Sequence, residues 1–350
     1  MKILLDLEQY DVTIGIPVFR SVDYIASTMQ SALAQTYQSI EFLIVDDCGE
    51  DGSIQVVERM LQEHPRGCHV RILKNDGHQG VGPSRNRIID EARGRYLYFL
   101  DSDDTIEPET ISTLMGEARK QQAEVVYASY EIIDKVNFTP TQTYRKANLT
   151  LLKENELAMF AFSNISVFQI TVCNSLIDLE FLRQTGLRFI DAGFWEDMAF
   201  TYEMVPQVKR AVMLPMTTYH YLRRPGSLSQ YQNRDQQQKE EITSNIATID
   251  YLKERSRLWR EKPYLPCLCQ TLETTSFYML CHILKSFHRI VPPVTHAEMR
   301  NVMRHPFSFR EILAFRNKKV ANLCFWVLGK LPLTLLIPMI RIVGKLKKVM

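Results

Sequence analysis

The sequence has little net charge, few cysteines and no glycine-rich dinucleotide fingerprint, and each lack excludes a class of protein. Lys and Arg number 42 and Asp and Glu 40, so the net charge of +2 gives no reason to expect a nucleic acid partner. The seven cysteines are scattered and lack zinc-site spacing, which favours reduced thiols in a cytosolic setting. No GxGxxG opens a helix after a strand, which argues against a dinucleotide-binding domain.

Both ends of the chain also lack features. Residues 1–10 contain no basic region followed by an apolar run, so a secretory signal is not expected there. No acidic residue follows Glu311, while lysines and arginines recur through an apolar tail. Its uncharged stretch at residues 331–340 is too short to span a bilayer. We therefore expect residues 319–350 to form one or two helices lying on an anionic membrane surface, with a buried C-terminal helix as the alternative.

The chain instead shows strand patterns alternating with helical patterns, in a composition that is 45% hydrophobic and sufficient for a core. Apolar residues alternate over residues 11–19, and further strands are expected at 41–45, 69–73, 95–100 and 124–129. Helices are expected between them at 53–63, 80–93 and 108–121. This order predicts an α/β fold with a mostly parallel sheet flanked by helices. Long helical segments dominate from residue 230 to about 317.

Three carboxylates, Asp101, Asp103 and Asp104, directly follow one of the apolar strands. Carboxylates this close repel each other unless a cation lies among them. Mn²⁺ and Mg²⁺ typically bind through one or two carboxylates plus substrate phosphates, so a metal-bound diphosphate is the predicted ligand. The alternative is an ordinary strand-to-helix turn in which Asp104 or Thr105 caps the next helix.

Other polar motifs lie where ligands bind in open α/β sheets, beyond the carboxyl ends of strands. Asp46 and Asp47 lie at the end of one strand. Their position suits either the binding of a nucleotide base or an ordinary turn. The segment from Gly80 to Arg85 combines glycines with a cation suited to phosphate.

Two further motifs lie in the second half of the chain. Glu196 and Asp197 follow aromatic residues and suit a general base, although such a pair also suits the first turn of a helix. His220, Arg224 and Ser227 are candidates for contact with phosphate, although an arginine here is equally compatible with a solvated surface charge.

Taken in order, these motifs resemble the family 2 glycosyltransferases of the GT-A fold over about residues 11–230. The residues that carry the resemblance are Pro17, Val18 and Phe19; Val45, Asp46 and Asp47; residues 80–86; residues 100–104; Glu196 and Asp197; and residues 219–229. The sequence departs from the family at Phe19 and Arg20 and at residues 48–50, which puts the identity of the donor in doubt rather than the class of reaction.

The resemblance implies a role for each motif. Pro17, Val18, Phe19 and Asp47 would line the base pocket with Asp46 nearby, and Gly80 and Arg85 would hold the donor. Asp101 and Asp103 match the DxD pair, with Asp103 as the direct metal ligand and Asp101 also contacting the donor. His220 would join the metal site, and Arg224 and Ser227 would contact the donor diphosphate. Asp197 matches the catalytic base, supported by Glu196.

The implied activity is an inverting transfer of sugar from a nucleotide-sugar, in particular a UDP-sugar, to a glycan or lipid-linked acceptor in polysaccharide synthesis at the cell surface. The cofactor would be Mn²⁺ or Mg²⁺, and the protein would be cytoplasmic and peripheral on the inner face of the membrane. The expected domains are a catalytic domain at 1–229, a helical extension at 230–318 and a basic tail at 319–350. The rival functions are a non-catalytic nucleotide-sugar binding protein and a nucleotidyltransferase.

Overall fold

The protein is represented by a computed structural model that describes residues 10–134, 139–164, 168, 171–192, 195–224, 232 and 234–349. The chain divides into two compact units. The first comprises the described residues up to 157 together with 169–191 and 204–224. The second comprises 158–168, 192–203 and 225 onward. It thus takes in two short segments from the region that the sequence assigns to the catalytic domain.

The first unit is built on one large sheet. Its strands are β1 (Tyr10–Val18), β2 (Ile40–Asp46), β3 (Val70–Lys74), β4 (Gly94–Phe99), β5 (Thr105–Ile106), β6 (Val125–Asp134), β7 (Pro140–Tyr144), β8 (Leu149–Leu151), β9 (Ser175–Asp178) and β10 (Ala211–Arg223). The order among described residues is β3-β2-β1-β4-β9-β6-β10-β5, with β7 on β6 and β8 on β10. The α/β fold is confirmed. The sheet is mixed rather than mostly parallel, because β9 runs antiparallel to both β4 and β6.

Helices alternate with the early strands as the periodicity predicts. They are α1 (Ile25–Leu33), α2 (Ser53–Glu63), α3 (Val81–Glu91), α4 (Thr110–Gln121), α5 (Glu156–Ser163), α6 (Leu179–Thr185) and α7 (Glu196–Met204). Strand β1 is paired on both sides, by β2 and β4, and its residues Val12, Ile14 and Ile16 are fully buried. They share a core cluster with Ile25 and Met29 of α1. The parallel half of the sheet is thus held by apolar burial, and its strand ends form one edge.

The second unit is mainly helical. Its helices and short strands are β11 (Gln237–Gln238), α8 (Lys239–Ser256), α9 (Leu265–Ser286), β12 (Ile290–Val291), α10 (His296–Arg300), α11 (Phe309–Leu313), α12 (Lys319–Leu328) and α13 (Leu333–Leu346). A buried ion pair joins α8 to α9, with Lys253 Nζ 2.9 Å from Glu273 Oε1. The same ammonium donates to the carbonyl oxygens of Val302 at 2.9 Å and Arg304 at 3.1 Å.

Helix α13 has apolar side chains on more than one face. Leu336 and Ile340 are buried in the core of the second unit, whereas Leu335, Ile342 and Leu346 are 56%, 61% and 78% exposed. The tail therefore packs on its own unit and also presents apolar surface to the outside. Within the described ranges, none of the helices combines the length and the apolar composition needed to cross a bilayer.

Candidate functional site

The acidic loop after β4 is held by partners from distant parts of the first unit. Asp101 accepts from Arg85 Nη2 at 2.8 Å through Oδ1 and from Cys173 Sγ at 3.1 Å through Oδ2. Asp103 Oδ2 accepts from Arg224 Nε at 2.6 Å. Each carboxylate of the pair thus faces an arginine, and the two arginines come from α3 and from the residue after β10.

Asp104 ties the acidic loop to β10. It is buried and accepts from the Tyr219 hydroxyl at 2.5 Å and from the Leu222 amide at 2.8 Å. Helix α4 begins later, at Thr110, with Glu109 as its N-cap residue. The alternative reading of Asp104 or Thr105 as the helix cap is therefore wrong, because Asp104 fixes the loop to a neighbouring strand.

The electrostatics of this loop favour a bound cation. Burial raises the pKa of Asp103, Asp101 raises it further, and Arg224 opposes the rise. Burial raises the pKa of Asp104 well above its ordinary value, with Asp103 and Asp101 adding to it. Carboxylate oxygens are the hard ligands that Mn²⁺ and Mg²⁺ prefer, so the pair Asp101 and Asp103 fits such an ion held together with phosphate. No group of three or more His, Cys, Asp or Glu side chains arranged around a metal occurs in the described part of the chain.

Arg85 lies under the acidic loop. Its side chain is 5% exposed, and its guanidinium carbon lies 5.4 Å from the centre of the Phe189 ring. Arginine stays charged when buried, so this contact fixes the orientation of the Asp101 carboxylate. The sequence predicts that Arg85 contacts the donor. In the structure Arg85 contacts Asp101, which is itself expected to contact the donor. Cys173, the second partner of Asp101, was missed because it is distant in sequence and lies in no motif.

Asp47 organises the loop between β3 and α3. Its buried carboxylate accepts from Asn75 Nδ2 at 2.8 Å and from the amides of Gln79 at 2.9 Å and Gly80 at 2.8 Å, and it lies 2.8 Å from His78 Nδ1. Gly80 has a φ of 97°, a conformation that favours glycine. Both oxygens of Asp47 are therefore engaged by its own chain, and a direct contact with a base would have to displace one of these donors.

A cavity of about 330 Å³ opens beside Asp46, at the carboxyl ends of β1 and β2 and before α2. Val18 and Asp46 line it, together with Arg20 and Lys74, and of these four residues Lys74 alone lies in no motif identified in the sequence. Lys74 is the last residue of β3 and pairs in register with Asp46, so strand register was the signal that could have found it.

The other residues predicted for the base pocket lie outside the cavity lining. Pro17 is buried in β1 opposite Val45, and Asp47 faces the β3–α3 loop. Phe19 stacks on His78, with ring centres 4.0 Å apart and an angle of 19° between the planes.

His220 is enclosed by carboxylates. Its Nε2 lies 2.8 Å from Glu107 and its Nδ1 lies 2.8 Å from Glu131. This arrangement leaves neither ring nitrogen for a metal, so His220 does not fit the predicted role of metal ligand. The neighbouring Tyr219, which bonds Asp104, points to the opposite face of β10, because successive side chains alternate along a strand.

The remaining predicted residues fall in three places. Arg224 contacts Asp103, and its guanidinium carbon lies 5.0 Å from the centre of the Tyr24 ring. Ser227 lies outside the described residues. Glu196 and Asp197 form the first turn of α7 and belong to the second unit, and Glu196 is buried. Their catalytic roles stay predictions.

Comparison with known sequences gives a consistent set of relatives. The profile described as Glycosyl transferase family 2 matches residues 13–186. The succinoglycan biosynthesis protein ExoO of Rhizobium meliloti is 29% identical over 223 residues, which cover 63% of this chain and 62% of ExoO. The Escherichia coli protein WfaP, named as a glucosyltransferase that uses UDP-Glc and α-D-GlcNAc-diphosphoundecaprenol, is 27% identical over 62% of this chain and 79% of its own. This chain thus spans less than two thirds of ExoO.

Solved structures resemble more than nine tenths of the chain at lower sequence identity. Residues 1–349 of TarS from S. aureus match with a TM-score of 0.64 and 14% identity, over 91% of this chain and 90% of that one. The same protein in complex with UDP-GlcNAc matches with a TM-score of 0.53. The mannosyltransferase PcManGT of Pyrobaculum calidifontis, bound to GDP-Man and Mn²⁺, matches with a TM-score of 0.52 and 13% identity, over 92% and 88%. At these identities the likeness establishes the fold alone.

Proposed function

Because the chain belongs to glycosyl transferase family 2 and has the GT-A fold, we propose that it transfers a sugar from a UDP-sugar to a hydroxyl of a glycan or lipid-linked acceptor. The observation that carries the proposal is the pairing of a fixed acidic loop after β4 with a cavity at the ends of β1 and β2. Uridine is favoured by the UDP-Glc in the name of WfaP and by the UDP-GlcNAc complex of TarS. The name of ExoO supports a place in polysaccharide synthesis.

The donor would lie along the edge formed by the strand ends. The cavity beside Asp46 receives the base, with the cations Arg20 and Lys74 at its wall. Asp101, fixed by Arg85 and Cys173, accepts hydrogen bonds from donor hydroxyls. Asp103, with Asp101, would hold the Mn²⁺ or Mg²⁺, which supplies positive charge at the departing diphosphate.

The chemical step would be a single displacement with inversion. Asp197 takes the proton from the acceptor hydroxyl as that oxygen bonds to the anomeric carbon. The bond from that carbon to the diphosphate oxygen breaks in the same step, and the negative charge leaves with the diphosphate. Arg224 is the side chain of the first unit best placed to neutralise this charge, because it already pairs with Asp103 at 2.6 Å. Glu196 is proposed as the neighbour that supports Asp197.

The tail is proposed to keep the enzyme on the inner face of the cell membrane. Helices α12 and α13 carry exposed apolar side chains, among them Val320, Leu335 and Leu346, and no acidic residue follows Glu311. Exposed apolar side chains mixed with lysines are typical of helices that lie on anionic bilayers. Such a location would bring the site to a lipid-linked acceptor.

A panel of nucleotide-sugars tests the transfer directly. We expect slow release of UDP from one donor in the presence of Mn²⁺ or Mg²⁺, abolished by EDTA. Release of pyrophosphate instead would identify a nucleotidyltransferase, and saturable donor binding without turnover would identify a non-catalytic binding protein. Either result would overturn the proposal.

A further inference from the structure

The second unit contains a cavity of about 230 Å³ that the transfer reaction does not use. It lies where the end of α12 meets the segment before α11. Three cations, Arg257, Arg304 and Lys330, line it together with the aromatic rings of Phe309 and Trp326, and its lining contains no carboxylate. The cavity beside Asp46 differs, since Asp46, Glu50 and Asp51 are in its wall. The chemistry of the second cavity therefore suits an anion.

The floor of this cavity is fixed by buried polar contacts. His305 is buried, accepts from the Phe307 amide at 3.1 Å through Nδ1, and its Nε2 lies 3.1 Å from Asn322 Oδ1. Burial lowers the pKa of His305, so the ring stays neutral near pH 7. Gly329 closes the wall, because a Cβ added there would lie 2.1 Å from the carbonyl oxygen of Met303. The end of α12 is thus in direct backbone contact with the segment that carries Arg304.

The cations of the cavity differ in their partners. Arg257 Nε lies 3.1 Å from Glu254, an exposed pair. Arg304 and Lys330 form no ion pair within the described ranges, and Lys330 Nζ lies 5.4 Å from the centre of the Trp326 ring. Both residues line the cavity, so an anion bound there would be attracted by the positive charge of two side chains.

Exposed apolar side chains occur in the lining of the cationic cavity and next to lining residues in the sequence. Phe309 in its lining is 44% exposed, and the sequence neighbours Leu258 and Val327 are 64% and 49% exposed. A free inorganic anion would leave these side chains in water. An anion joined to a hydrocarbon chain would pair with the cations and could also cover exposed apolar side chains such as Phe309.

We propose that this cavity binds the phosphate head group of an anionic lipid in the membrane. The cavity contacts the phosphate through Arg304 and Lys330, with Arg257 beside them, and Trp326 lies against the acyl region below the head group. This site goes beyond the transfer of sugar. It uses only the second unit and none of the residues assigned to the donor, so a failure here would leave metal-dependent donor hydrolysis unchanged.

Vesicle flotation with the full chain tests the site. Arg304→Gln with Lys330→Gln removes two charges from the cavity, and Lys345→Gln with Lys347→Gln removes two charges from the tail outside it. With vesicles of phosphatidylcholine and phosphatidylglycerol, we expect the first pair to lose about tenfold more affinity than the second, because hydrogen bonds to a bound phosphate are lost in addition to diffuse attraction. All four side chains are exposed, so the melting temperature should not change. Equal losses would overturn the assignment of the cavity.

A second measurement identifies the occupant. Replacing Trp195 and Trp259 by Phe leaves Trp326 as the one tryptophan of the three in the sequence. We expect vesicles with phosphatidylglycerol to shift its emission to shorter wavelength, and vesicles of phosphatidylcholine alone or inorganic phosphate to leave it unchanged. A shift with inorganic phosphate but none with the vesicles would overturn the assignment to a lipid.

Discussion

At the scale of single residues, Asp46 and Asp47 are adjacent and have different tasks. Asp46 faces a cavity and accepts from the Cys48 amide at 3.0 Å, whereas Asp47 is buried under four donors. The sequence predicted that both lie at a strand end, because an apolar run ends there. It did not predict that the two side chains make different contacts. Asn75 and His78 contact Asp47 from a loop about thirty positions away, and hydrophobic periodicity does not indicate such a contact.

The two residues should therefore respond differently to the same substitution. Asp47→Asn puts an amide donor where donors already converge, and we expect it to lower the free energy of unfolding by about 3 kcal/mol. Asp46→Asn should change stability by less than about 1 kcal/mol and should weaken UDP binding. Urea denaturation and calorimetric titration with UDP measure the two effects. Equal losses of stability in the two variants would contradict the role given to Asp47.

A second pair of variants distinguishes the proposed role of Asp103 in the acidic loop from the proposed role of Asp197 as general base. Asp103→Ala should abolish the stimulation of donor hydrolysis by Mn²⁺, since the variant lacks the carboxylate proposed as the main metal ligand. Asp197→Asn should keep donor affinity and lower transfer about 10³-fold, as expected when a general base is removed. Asp90→Asn, at an exposed ion pair with Arg188, is the control and should leave both activities unchanged. If Asp197→Asn transfers sugar at the wild-type rate, Asp197 is not the base.

At the scale of secondary structure, the early strands and helices were predictable and the later ones were not. Helix α2 has the predicted bounds, and β1 and β2 differ by one residue at their ends. Their apolar residues recur with regular periods because one face or both faces are buried. Strand β9 is four residues long, and it enters the sheet antiparallel between β4 and β6. A pattern this short does not reveal direction, which is why the sheet was predicted to be mostly parallel.

The ion pair between α8 and α9 gives the second unit a pH dependence. Burial raises the pKa of Glu273 to about 6 from an ordinary 4.5, although Lys253 opposes the rise. The folded state therefore binds this proton more tightly than the unfolded state. Protonation of Glu273 therefore stabilises the folded state. This stabilisation is full below pH 4.5 and is lost as the pH rises through about 6, a loss of about 2 kcal/mol in the free energy of unfolding.

Replacing the Glu273 carboxyl by an amide should remove this dependence of stability on pH. We expect the free energy of unfolding of Glu273→Gln, relative to wild type, to become about 2 kcal/mol more favourable between pH 4.5 and 7. Glu240→Gln, at an exposed position on α8, is the matched control and should show no such change. Urea denaturation at both pH values gives the comparison. An unchanged difference between Glu273→Gln and wild type would show that Glu273 does not titrate in this range.

At the scale of the whole molecule, charge and apolar surface are unevenly distributed. The chain is close to neutral, yet its last 39 residues contain no Asp or Glu. The sequence predicted either a membrane-binding tail or a buried helix, and α13 combines features of both because Leu336 and Ile340 are buried while Leu335 and Ile342 are exposed. Hydrophobic patterning alone could not separate the two, since both faces of the helix are apolar.

Membrane binding by the exposed face of α13 can be tested with substitutions that leave its buried face unchanged. Leu335→Gln, Ile342→Gln and Leu346→Gln together remove exposed apolar surface and leave the buried face intact. We expect the triple variant to lose at least about tenfold in binding to vesicles with phosphatidylglycerol, because the apolar contribution scales with buried area. Met216→Gln, an exposed apolar position in the first unit, should bind as wild type does. Full binding by the triple variant would exclude this face as the contact with the bilayer.

The stacked rings of Phe19 and His78 have a consequence for spectroscopy. Their centres are 4.0 Å apart, and Phe19 follows Val18, which lines the cavity beside Asp46. Protons above an aromatic face are shielded by its ring current, so the carbon-bound protons of His78 should resonate upfield of those of an exposed histidine. Any displacement of Phe19 when a nucleotide enters would move these lines downfield. The protein thus carries its own nuclear magnetic resonance reporter beside the proposed base pocket.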